Sequence, residues 1–210
     1  MNICPLCESN SKLFYENIEK NQKFHQCESC FGIFMDKSLI LSNDEEKSRY
    51  EYHHNDVNDK GYQKFVSPIT SNIFKDFNEN SKGLDFGAGT GPVIAKVLKD
   101  NNYQIELYDP FFHNYPRLLE QKYDYIACCE VMEHFYHPKK EFLLLKSLLN
   151  KNGKLYCMTN IYDETINFDK WYYKNDVTHV FIYHKNTINW IKENIGFKDI
   201  TINKHLIIFD

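Results

Sequence analysis

The sequence predicts an α/β protein, a Rossmann-like, mainly parallel sheet preceded by a small N-terminal zinc ribbon. Three observations carry this expectation. Two Cys-x-x-Cys pairs, Cys4-Pro5-Leu6-Cys7 and Cys27-Glu28-Ser29-Cys30, open the chain. A glycine-rich run, Leu84-Asp85-Phe86-Gly87-Ala88-Gly89-Thr90-Gly91, follows a polar linker. Short apolar strands then alternate with helical stretches to residue 210, the pattern of strand–helix–strand units.

Composition limits the function classes. With 210 residues, 42% of them hydrophobic, the chain has room for one α/β domain and a small appendage. No run approaches the roughly eighteen apolar residues of a membrane span. Met1-Asn2-Ile3-Cys4 has neither the basic nor the apolar region of a secretory leader, so a soluble, cytoplasmic protein is expected, without membrane insertion. Seven cysteines resolve into the two pairs plus Cys128, Cys129 and Cys157, an odd count that favours metal ligation and free thiols over disulfides. Net charge is -4, and the first sixty residues hold seven Lys/Arg against eleven Asp/Glu. That balance lacks the basic footprint needed to neutralise phosphates, which argues against nucleic acid as a partner. Nothing in the sequence sets an oligomeric state.

Residues 1–37 are expected to form the ribbon. Each Cys-x-x-Cys lets two thiolates reach one ion from a tight turn, and the nineteen residues between Cys7 and Cys27 fit a short β-ribbon joining the pairs. Four soft ligands select tetrahedral zinc, and with Cys4, Cys7, Cys27 and Cys30 all engaged no position stays open for water, so the ion would be structural. His25 reads as a strand position.

Residues 38–80 form a linker that should be mostly helical. It turns from acidic, Asp44-Glu45-Glu46, to aromatic and polar, with Tyr50, Tyr52, His53, His54, Tyr62 and Phe65. It is either a packing brace or a substrate lid, since Tyr and His cover apolar ligands while offering polar tips; Tyr52, His53 and Tyr62 are the pocket candidates.

Residues 81–210 hold the main domain. Lys82 to Phe86 reads as a buried strand and Pro92 as the start of a helix, with the glycine turn between them. Glycines let the backbone approach a ligand closely, and free amides at a helix start face an anionic or polar group. Asp109 ends the next strand, where a carboxylate can accept hydrogen bonds from ribose hydroxyls, so a nucleoside cofactor is implied. A dinucleotide fingerprint would need glycine where Pro92 stands, and a phosphate loop would end in Gly-Lys-Ser/Thr, which the chain lacks. Asp85 beneath the turn suits a cofactor with a cationic end.

At Leu84 to Gly91 the chain resembles the class I S-adenosylmethionine-dependent methyltransferases, whose first motif has this form. The resemblance continues at Tyr123-Asp124-Tyr125-Ile126-Ala127-Cys128-Cys129-Glu130-Val131-Met132-Glu133-His134-Phe135, similar to the fourth-strand motif of quinone and small-molecule methylases, and at Asp176-Val177-Thr178-His179. It covers roughly residues 80 to 210, and the knuckle is similar to that of zinc-bearing methyltransferases. The resemblance implies S-adenosylmethionine as cofactor, bound by Asp85, Phe86, Gly87, Ala88, Gly89, Gly91, Asp109, Pro110, Phe111 and Glu130, with a small-molecule methyl acceptor. His134 and His179 are the candidate bases, and Glu130 and Glu133 are candidates either to orient a histidine or to touch the cofactor, one of them serving only as a helix N-terminal charge. Trp171 and Tyr172, on the loop Trp171-Tyr172-Tyr173 ahead of the Thr-His segment, are further candidates for the acceptor pocket.

Only residues 110–122 separate Asp109 from Tyr123, where the family fits a helix, a third strand and another helix. The third strand is therefore expected to be missing, and Phe111 and Phe112 become candidates for holding the adenine. Phe142 to Leu149 reads as an amphipathic helix closed by Asn152-Gly153, and Asn186 as the cap of a helix running to Ile195. Two alternatives stay open: an RNA base methyltransferase whose knuckle grips nucleic acid, and a zinc-dependent binding module that has lost its chemistry.

Overall fold

The computed structural model describes residues 2–52 and 55–210, so the candidate His53 lies outside the described residues. Two sheets share one core. The smaller begins with the antiparallel hairpin β1 (Ser11–Asn17) and β2 (Gln22–Cys27), continues through β3 (Ile33–Met35), and takes its fourth strand, β8 (Phe181–Ile182), from far along the chain. Ile33 pairs with Ile182 and Phe34 with Phe181. Gly32 leaves room for that strand: a Cβ there would sit 2.4 Å from the Phe181 ring. Cys4, Leu6, Cys27, Cys30 and Phe34 belong to the same buried cluster as Phe142, Leu155 and Tyr183 of the main domain.

Three helices follow the ribbon, α1 (Asn43–Glu51), α2 (Lys60–Phe65) and α3 (Ser67–Asp76). Ser42 and Glu45 close a reciprocal capping box at the start of α1.

The larger sheet contains β4 (Lys82–Phe86), β5 (Gln104–Tyr108), β6 (Tyr123–Cys129), β7 (Leu149–Met158), β9 (Ile200–Asn203) and β10 (Leu206–Phe209), in the order β5-β4-β6-β7-β10-β9. β4, β5, β6 and β7 run parallel, and β10 enters antiparallel between β7 and β9. The helices α4 (Val93–Asp100), α5 (Pro138–Leu148) and α6 (Lys185–Ile195) complete the domain. Among the described residues no strand lies outside β5, where only a 3₁₀ turn at Pro116–Glu120 links it to β6; the shortened edge is as the sequence predicts.

Two local expectations are corrected. α5 starts at Pro138 and stops at Leu148, and Asn152-Gly153 lies inside β7, whose start shifts register against β6. Glycine is needed there because a Cβ at Gly153 would meet the Tyr123 carbonyl oxygen at 2.9 Å. The cap of α6 is His184, not Asn186: its Nδ1 accepts the Asn186 N–H at 3.0 Å, while its own N–H donates to the Thr187 hydroxyl at 3.1 Å. Among the described residues no helix is long and apolar enough to cross a membrane.

Candidate active site

The carboxyl ends of β4, β5 and β6 meet at one edge, the place where open α/β sheets bind ligands. Gly87 and Gly89 hold φ of +81° and +60°, a region that only glycine enters without strain. The loop is tied to the end of β5: Gly87 N–H donates to the Tyr108 carbonyl at 2.8 Å, and Gly89 N–H donates to Asp109 Oδ2 at 3.0 Å. A Cβ on Gly89 would meet nothing within 4 Å, so the loop faces open space there.

Asp109 has a structural duty as well. Its Oδ1 accepts the N–H groups of Phe111 and Phe112 at 2.8 and 3.1 Å. Three amides thus take up most of its roughly four acceptor positions. Phe86 stacks on Tyr108, while Ala88 is buried in the turn. Asp85 is buried beneath the loop, and burial, offset in part by the Ala95 amide, pushes its carboxyl up to about 7.

The helices before β4 cover this edge. A Cβ on Gly91 would strike the Asn55 carbonyl oxygen at 2.2 Å, so glycine there admits the linker backbone. Tyr62 sits close enough to Cys129, Asp85 and Glu130 that burial first, and then these groups, push its phenol up to about 12. The Tyr50 ring lies 6.0 Å from Phe111, and its hydroxyl donates to Glu46 at 2.7 Å. Glu46, itself buried, also accepts the Tyr136 hydroxyl at 2.7 Å.

β6 ends in the second half of the site. Glu130 has φ +51°, an uncommon state for a side chain with a Cβ. Burial and then the neighbouring Glu133 raise its carboxyl to about 8. Glu133 is fully buried, and burial raises its carboxyl too, against the pull of His179. The Tyr173 hydroxyl donates to Glu133 Oε1 at 2.5 Å. His134 and His179 meet edge to face with ring centroids 4.9 Å apart. Nδ1 of His134 lies 2.9 Å from the Thr178 carbonyl and 3.0 Å from the Tyr50 hydroxyl, and Nδ1 of His179 lies 2.8 Å from the Tyr173 carbonyl. Burial, then the counteracting Glu133, sets the His179 ring below its ordinary value.

The structure thus gathers the glycine loop, Asp85, Asp109, Pro110, Phe111, Glu130, His134, His179 and Tyr62 around one edge. Of the other pocket candidates, Tyr52 and Tyr172 are 81% and 69% exposed, and Trp171 packs with Tyr162 and Phe168 beside the ribbon, its ring centroid 5.1 Å from that of Tyr173. Sequence reasoning missed Glu46 as a member of the site and did not place Tyr50 there, while Tyr173 was within the Trp171-Tyr172-Tyr173 loop it offered as a pocket lining. The Ser42-x-x-Glu45 box fixes where α1 starts, and from that start Glu46 and Tyr50 fall at i and i+4 on one face.

At the ribbon, Cys4 Sγ and Cys30 Sγ lie 3.7 Å apart, Cys7 Sγ and Cys27 Sγ 3.2 Å apart, and all four sulfurs fall within 4.8 Å of one another. Ser29 and Cys30 N–H groups donate to Cys27 Sγ at 3.3 and 3.4 Å. Zn–S bonds of about 2.3 Å in a tetrahedron put sulfurs about 3.8 Å apart, so the cluster fits zinc.

A mainly parallel sheet in this order, with a glycine turn after its first strand and an acid just after the second, defines the class I S-adenosylmethionine-dependent methyltransferase fold. Residues 59–202 match a family model described as a methyltransferase domain, and the chain belongs to that family. An O-methyltransferase family protein from Burkholderia thailandensis has the same fold at TM-score 0.54 and 11% identity, over 78% of this chain and 61% of that one. Human N-acetylserotonin methyltransferase, in complex with S-adenosylmethionine, gives TM-score 0.53 and 11% identity over 80% of this chain and 56% of its own. The chain spans 55% to 61% of the length of the first solved structures it matches. No curated protein sequence matches it.

Proposed function

We propose that this chain transfers the methyl group of S-adenosylmethionine to a hydroxyl of a small-molecule acceptor, and that a structural zinc ion bound by Cys4, Cys7, Cys27 and Cys30 supports the site. Family membership supports the reaction type. The acceptor half of the reading rests on one observation: His134 and His179 converge, 4.9 Å between ring centroids, beside the buried carboxyl of Glu133 and the half-buried one of Glu130 at the edge where the glycine loop ends.

The cofactor, when bound, supplies a methyl group activated on a cationic sulfur. The open face at Gly89 and the buried acid Asp85 fit such a molecule, because a cation arriving above Asp85 favours its ionised form. Phe86, Gly87, Ala88 and Gly91 shape the cradle, Asp109 takes a ribose hydroxyl, and Pro110 and Phe111 line the adenine side. Tyr62 and Tyr50, from the segment 38–80, cover the methyl and exclude water. His134 and His179 hold the acceptor hydroxyl and take its proton as the oxygen forms its bond to the methyl carbon and the S–C pair returns to sulfur. Positioning supplies most of the rate, since the thioether leaves without an acid.

Calorimetric titration of zinc-quantified protein with S-adenosylmethionine and S-adenosylhomocysteine tests the reading; micromolar affinity for either is expected. A folded, zinc-loaded chain that binds neither overturns it. His134→Ala and His179→Ala should each lower turnover more than cofactor affinity, and unchanged turnover in both removes the two histidines from the chemistry.

A further inference from the structure

Glu133 presents a buried contradiction. Tyr173 satisfies Oε1, yet Oε2 has no hydrogen-bond partner in a residue that is 0% exposed. A buried carboxyl oxygen in that position costs free energy unless a proton or a cation sits against it. The surrounding groups indicate what that is. One ligand atom from each of Glu133, His134 and His179 lies within 4.8 Å of the other two.

The imidazoles are oriented for ligation. A carbonyl oxygen only accepts, so the contacts of His134 Nδ1 to Thr178 and of His179 Nδ1 to Tyr173 assign the proton to Nδ1 in both rings. In the neutral form of either ring the lone pair is then on Nε2, and the Nε2 of His179 also lies 4.0 Å from Asp176 Oδ2. A histidine whose Nδ1–H is anchored on a backbone carbonyl is the usual form of a metal ligand, because the anchor fixes both tautomer and ring direction. Tyr173 serves two ligands at once: its hydroxyl holds Glu133 and its carbonyl holds His179.

We propose that Glu133, His134 and His179 form a divalent-cation site, with Glu130 at its rim, and that the cation receives the acceptor hydroxyl. The cation's task rests on the methyl-transfer reading, whereas its binding does not. Two imidazole nitrogens with carboxylate oxygen suit Mn²⁺, Fe²⁺, Co²⁺ or Zn²⁺, and suit Ca²⁺ and Mg²⁺ less, since those prefer oxygen throughout. The ion acts as a Lewis acid: the bound hydroxyl releases its proton to solvent, its oxygen pair forms the O–CH₃ bond, and the S–CH₃ pair stays on sulfur. The metal keeps its oxidation state. When bound, the cation replaces the base role proposed above for His134 and His179, which then act by holding the ion.

Mn²⁺ separates this site from the ribbon, because four thiolates hold zinc in preference to manganese. Zinc-loaded full-length protein titrated with Mn²⁺ and followed by electron paramagnetic resonance should bind one Mn²⁺ per chain. Glu133→Gln and His179→Asn should each weaken that binding by about tenfold or more, with zinc content and S-adenosylmethionine affinity held within about threefold. Gly89→Arg should lose S-adenosylmethionine and keep Mn²⁺. Protein that binds zinc and S-adenosylmethionine but no Mn²⁺ overturns the cation site, as does Mn²⁺ binding unchanged in both variants. Protein that binds Mn²⁺ but not S-adenosylmethionine leaves the site standing and overturns the methyl-transfer reading.

Discussion

The molecule gathers metal-ligand side chains in two places, and builds them in opposite ways. The ribbon cluster draws Cys4, Cys7, Cys27 and Cys30 from a single stretch, uses one ligand type and closes on itself. The second cluster draws Glu133 and His134 from the end of β6 and His179 from the segment just before β8, mixes oxygen with nitrogen, and borders the proposed cofactor edge. A closed, soft, local set makes a structural element. A mixed, long-range set, as proposed above, suits a site that acts on a substrate. Yet the two are joined, since β3 of the ribbon pairs with β8 and the Met35 N–H donates to the Val180 carbonyl at 2.9 Å, one residue from His179.

That junction predicts the largest effect. Cys27→Ser should release zinc, destabilise the chain by roughly 4 kcal/mol or roughly 10 °C in Tm, and abolish turnover by freeing His179. Zinc analysis with thermal unfolding checks it; full stability after zinc loss would mean the ribbon contributes nothing to the fold, and lost turnover with zinc and fold intact would give it a direct chemical role. Tyr173→Phe sharpens the comparison from the other side. It removes only the O–H held on Glu133, so kcat should fall about tenfold while zinc content and cofactor Kd stay put. An equal change in Kd would mean that Tyr173 supports the whole edge.

The smallest effect concerns Asp85, which belongs to neither cluster. Burial raises its folded-state pKa from 3.8 to about 7, so its contribution to stability is complete below about pH 4 and is lost as pH rises to about 7. Urea unfolding of cofactor-free protein between pH 5 and 8 should show wild type losing stability relative to Asp85→Asn across that window, then levelling. A constant difference would mean that Asp85 is not titrating there.

The glycine loop, the cysteine pairs and the missing third strand were legible because each is written in neighbouring residues or in a gap between them. Partners far apart leave no such trace. Glu46 meets Tyr136 across 90 positions, and Tyr173 meets Glu133 across 40. β8 is two residues long, too short for alternation to reveal it. Aromatic runs are ambiguous for another reason: Trp171 packs with Phe168 while its neighbour Tyr172 is exposed, and the sequence alone assigned both to a pocket.

The pairing of β3 with β8 also sets a schedule for synthesis. Ile33 and Ile182 are 149 positions apart (182 − 33), so at about 5–20 residues per second the partner strand is made roughly 7–30 s after the ribbon. Through that interval Ile33, Phe34 and Met35, all buried in the finished fold, form an uncovered apolar sheet edge on the nascent chain. The ribbon, made before β8, is therefore completed only after it, and the cell must keep that edge from foreign strands until then.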